Sequence, residues 1–113
     1  MKVHLHTDRN LMVDAELVAR IESNAATQLA RFASRLNRVD LHLTDQSAGR
    51  SSGAHVRCMA EAQASGLPHV TVKHEAPDAR TALDGAVNEL VSALTRTVMR
   101  VADKGKRQTI RHT

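Results

Sequence analysis

The sequence predicts an α+β fold: a two-layer β-α-β-β-β-α sandwich, a four-stranded sheet with two helices on one face. Three observations carry this reading. Four short segments alternate apolar and polar residues, the period of half-buried strands, whereas two longer ones repeat apolar residues every three or four positions, as amphipathic helices do. Clusters of Gly, Pro, Asn and Asp separate several of them. With 113 residues the chain holds one domain's worth of core, so every element has to share it.

Lys2–Thr7 is a short strand, with Val3 and Leu5 on one face and His4 and His6 on the other. Asp8-Arg9-Asn10 makes a turn. Asp14 is a suitable N-cap, and Ala15–Leu36 reads as one long helix striped by Leu17, Val18, Ile21, Ala25, Leu29, Phe32 and Leu36. Arg38–Thr44 alternates through Val39, Leu41 and Leu43. A polar loop, Asp45–Gly53, leads to Ala54–Ala64, where Val56, Cys58, Ala60 and Ala62 take every second position. Gly66-Leu67-Pro68 turns the chain into His69–Glu75. These three strands form an antiparallel meander with one wet face, and the first strand runs parallel to the second through a right-handed helical crossover. Pro77 and an Asp78 cap open the second helix, striped by Leu83, Ala86, Val87, Leu90, Leu94, Val98 and Val101 and expected to stop near Gly105. Residues 1–105 make the domain, and 106–113 read as a basic, disordered tail.

Composition narrows the function. Trp and Tyr are absent and Phe32 is the lone Phe, so stacking platforms for bases or sugars are scarce. One cysteine, Cys58, excludes an internal disulfide and a multi-cysteine zinc site. No apolar run spans a bilayer and the N-terminus lacks a signal-peptide stretch, so a cytoplasmic protein without a membrane partner is expected. Cys58 faces the helices, away from His55 and His69. Asp84 and Glu89 are helix-surface carboxylates without paired geometry. Neither an enzyme, a cofactor nor a small-molecule substrate is expected.

Charge points further. The chain carries 16 Lys and Arg against 12 Asp and Glu, but six of the cations and only one acid fall after Thr95. Arg96, Arg100 and Lys104 recur every fourth residue along one flank of the second helix, followed by Lys106 and Arg107. Such a run suits a phosphate backbone, although a solvated helix end with cations near its C-terminus reads the same way. Arg20, Arg31, Arg35 and Arg38 make a second basic flank, which with parallel helices could border one groove with the first, although isolated surface arginines read the same way.

Two stretches then resemble the ribosome hibernation-promoting factor family, which includes ribosome-associated inhibitor A. One runs from Leu29-Ala30-Arg31-Phe32 through Arg35-Leu36-Asn37-Arg38-Val39. The other comprises Asp78, Ala82-Leu83-Asp84-Gly85, and Leu90 to Leu94-Thr95-Arg96. With the order of elements, the similarity covers nearly the whole chain, and Arg57-Cys58-Met59 with Glu61-Ala62 is similar to a short, single-domain subgroup. Where better-known members carry aromatics, Ala33 and Arg80 stand here. The resemblance implies a protein seated on the small ribosomal subunit, contacting rRNA and blocking translation or protecting idle ribosomes under stress. It implies no chemistry. The dimerising domain of longer relatives is not expected here.

Two other readings stand beside this one. A small regulatory module could engage a protein through the sheet and bind no RNA. Alternatively, His4, His6, His42, His55 and His69, which alternate onto the sheet face away from the helices, could hold a metal, although no ligand spacing among them is diagnostic. Oligomeric state is open, because the first strand sits at an edge of the sheet.

Overall fold

The computed structural model describes residues 2–8, 13–46 and 55–111, with side chains as far as Lys104. Its elements are β1 (Lys2–Thr7), α1 (Ala15–Gln28), β2 (Leu36–Asp45), β3 (Val56–Ala64), β4 (Val70–Ala76) and α2 (Ala79–Arg111), with a short 3-10 turn at Ala30–Phe32. The strands lie in the order β1-β2-β3-β4. β1 pairs parallel to β2, with Val3 opposite Val39 and Leu5 opposite Leu41. The other two pairings are antiparallel. Both helices cover one face of this sheet, as the alternation of the strands requires.

That alternation places Val39, Leu41, Leu43, Val56, Cys58, Ala60 and Ala62 in a buried layer beneath the helices. From the helices come Ile21, Ala25 and Leu29 of the first and Leu83, Ala86, Val87, Leu90 and Leu94 of the second. Small Ala60 and Ala62 let α2 lie close over β3. Asp14 caps α1 by accepting from the Leu17 amide at 2.7 Å. Asp78 does the same for α2, accepting from the Thr81 amide at 2.8 Å. Gly66 takes the left-handed turn between β3 and β4 with φ +73°.

Two helix ends differ from the sequence reading. The first helix stops at Gln28 rather than Leu36. Leu29, Phe32 and Leu36 are still buried, but through a 3-10 turn and the start of β2, because Arg38 must pair with Lys2 and the chain has to turn before it. At its start β2 carries a bulge between Leu36 and Arg38. The extra residue, Asn37, bonds Ser65 across the sheet at 3.2 Å. The second helix runs past Gly105 to Arg111. One helical glycine costs only about 1 kcal/mol and is no stop signal by itself when good helix formers follow. The turn at Asp8-Arg9-Asn10, most of the Asp45–Gly53 loop, Ala54 and the end of the tail lie wholly or largely outside the described residues. Among the described residues no helix is long and apolar enough to cross a membrane.

Candidate nucleic-acid interface

The second helix is 33 residues long, about 50 Å at 1.5 Å per residue. Its last turns leave the core, and Met99 through Lys104 are all exposed. Arg96, Arg100 and Lys104 line one flank there, facing Pro68, His69, Val70 and Thr71 of the β4 edge across a cleft of about 360 Å³. No ion pair engages any of the three cations among the described residues. Lys106 and Arg107 follow in the helix, with side chains outside the described residues.

The α1 flank meets α2 on its opposite side. Asn24 donates to Asp84 at 3.4 Å, and Arg31 of the 3-10 turn that follows α1 donates to the Thr95 hydroxyl, so contacts advance together along the chain and the helices run parallel. Arg20, Asn24, Gln28, Arg80, Asp84 and Asn88 line a groove of about 450 Å³ between them. Arg80, which sequence reasoning passed over, thus joins Arg20. Arg20 also sits 3.4 Å from Glu16 in an exposed pair, which solvent screens to little energy. Arg35 is exposed at the turn before β2. The two basic flanks therefore do not border one groove. Thr95 faces α1, and about 100° of helical rotation carries Arg96 toward β4 instead.

Arg38 departs from its expected neighbours. It precedes the inward Val39 in β2 and so points to the open face of the sheet, where its Nε lies 2.8 Å from Asp40 Oδ2. A cation already neutralised, on the far side from the helices, is not part of their surface. The geometry thus leaves two cationic grooves on a helical layer. A family model described as Sigma 54 modulation protein / S30EA ribosomal protein matches residues 6–106. The chain belongs to this family. The S30EA family, one of ribosome-associated modulation and hibernation factors, is the one that the stretch from Leu29 to Val39 and the residues of α2 resembled. Among solved structures, the Protein Y N-terminal domain of Thermus thermophilus matches with a TM-score of 0.56 and 23% identity, over 84% of this chain and 93% of that one. A ribosomal subunit interface protein from Coxiella burnetii matches with a TM-score of 0.64 and 11% identity, over 85% of this chain and 96% of that one. At these identities the likeness is one of fold. No curated protein matches the chain in sequence.

On the open sheet face of this S30EA-family chain, His6, His42 and His55 each lie beside a carboxylate. His6 and His42 stack with ring centroids 4.6 Å apart, and His6 Nε2 lies 2.9 Å from Asp40 Oδ1. His42 approaches Glu61 at 3.9 Å and His55 approaches Glu75 at 3.5 Å. His69 stands instead at the mouth of the α2–β4 cleft. Among the described residues no group of three or more His, Cys, Asp or Glu converges as a metal site. Cys58 is fully buried, and burial pushes its thiol up to about 12, so it offers no thiolate near neutral pH.

Asp40 is the anchor of that face. The Arg38 guanidinium beside it, helped by His6 and opposed by burial, holds its carboxyl at about 2. A carboxylate with a folded pKa below its unfolded value stabilises above the unfolded value, near 4. That stabilisation fades as pH falls from about 5 through 2. Asp40→Asn is expected to lower stability by about 1 kcal/mol at neutral pH, since the half-exposed Arg38 is screened. Urea unfolding across pH should show this gap closing near pH 2; a gap constant with pH would remove Asp40 ionisation as its cause.

Proposed function

We propose that this protein binds the small ribosomal subunit by gripping rRNA phosphates along its helical layer, and that it thereby keeps idle ribosomes in the cytoplasm from translating and protects them. Arg96, Arg100 and Lys104 form the principal rail, continued by Lys106 and Arg107, while Arg20, Arg31, Arg35 and Arg80 supply contacts from the α1 side. The observation that carries the reading is the run of exposed cations along α2 that no acid pairs among the described residues. A cation bound to its own carboxylate has already released its counterions. A free one still gains by meeting a phosphate. Membership of a family of ribosome-associated factors makes ribosomal RNA the polyanion to test first.

The test is cosedimentation with purified small subunits across a salt series. Each neutralised phosphate contributes roughly 0.9 to the slope of log K against log salt, so three contacts predict about a 40-fold loss between 50 and 200 mM. Association that ignores salt would defeat the reading and favour a protein partner engaged through the sheet.

A further inference from the structure

Resting on the RNA reading above, we propose that the cleft between β4 and α2 receives one unstacked nucleotide of the bound RNA, its base in the cleft and its phosphate on Arg96 and Arg100. An rRNA helix gripped only by its phosphates would ride on the cations and leave the cleft to water. The cleft is not built for water alone. Its walls include Val70, Ala93 and Val101, its rim carries Arg96, Arg100 and Lys104, and no carboxylate is among its described lining residues. A ligand that fits both parts has a flat, weakly polar body joined to a negative charge. A nucleotide is such a ligand, and a volume of about 360 Å³ lies at the small end of the range for ligand sites.

Two further features favour a base. β4 is the last of the described strands in the sheet, so among the described residues the backbone N–H and C=O groups on its outer edge have no strand partner. Groups of that kind can bond the edge of a base as they would another strand. His69, exposed at the mouth, supplies a ring on which the base can stack in a chain without Trp or Tyr. The groove between α1 and α2 lacks this chemistry, because its cations Arg20 and Arg80 share it with Asp84 and its described lining includes neither a strand edge nor an imidazole. An extended acidic peptide would share the cations and the strand edge, and is the rival occupant.

The experiment compares a short single-stranded RNA with an abasic ribose-phosphate oligomer of equal length, using the full chain and fluorescence anisotropy at low salt. Stacking of a base on protein is typically worth 1–3 kcal/mol, so the RNA should bind about tenfold tighter or more. Ala93→Leu, which fills the cleft from α2, should bring the two affinities together, with folding checked by thermal melting. Should that variant not fold, the wild-type chain answers through 4-thiouridine in the RNA, which should crosslink within His69–Thr71 or Arg96–Val101. Equal binding of both oligomers would overturn the nucleotide site while leaving phosphate contact intact. A polyglutamate peptide that binds as tightly as the RNA would overturn it in favour of the peptide. If neither oligomer binds, the RNA reading fails and takes this inference with it.

Discussion

Reversing Arg96 and Arg100 to Glu is expected to weaken binding to small ribosomal subunits by about two orders of magnitude and to flatten its salt dependence. Both side chains are exposed and neither bonds another described residue, so the substitutions remove no internal contact and the fold should survive. The loss is large because each change deletes a phosphate contact and adds a repelling charge on a flank whose cations no described acid pairs. Lys73→Glu makes one such charge reversal on β4's outward side, which the helices do not cover, and should cost less than about threefold. Cosedimentation of the two variants, with circular dichroism to confirm folding, checks this. If the double variant binds as the wild type does, α2 is not the contact and the open face of the sheet takes its place.

The second large effect concerns packing. Gly85 to Ala would raise helix propensity by about 1 kcal/mol in an isolated helix. Here it should destabilise by about 1 kcal/mol, because a Cβ at this position would collide with the imidazole of His74, and overpacking typically costs 1–3 kcal/mol. His74 lies under α2 with its Nδ1 2.9 Å from Glu89 Oε1, so the ring can yield only by giving up that bond. In a His74→Ala background the same Gly85→Ala should instead stabilise, by about 1 kcal/mol. Denaturant unfolding of the four proteins gives a double-mutant cycle with a coupling of about 2 kcal/mol. A coupling near zero would mean the ring moves aside freely and Gly85 is not there to admit it.

Much of this architecture was legible residue by residue. The caps at Asp14 and Asp78, the inward sets of β2 and β3 and the stripe of α2 as far as Leu94 follow from local periodicity, and the structure places each where the period puts it, whereas Val101 at the end of that stripe is exposed. The end of α1 was not legible, because Leu29, Phe32 and Leu36 satisfy a helical stripe and a 3-10 turn leading into a strand equally well. What chose between them was the pairing of β2 with β1. Gly105 misled for the opposite reason, since a residue weakly unfavourable to helix was weighed as a boundary.

The candidate site divides in the same way. The four-residue spacing of Arg96, Arg100 and Lys104 puts them on one flank wherever the helix packs, so the basic rail belongs to the primary structure. Which neighbours that flank meets depends on distances between elements. Only the assembled sheet sets β4 beside it, turns Thr95 toward Arg31, sends Arg38 to the opposite face and there cancels it against Asp40. Periodicity is a property of consecutive residues, and the chain carries it by itself. Neutralisation of a charge and enclosure of a cleft arise between residues far apart in the chain, and folding alone brings those together.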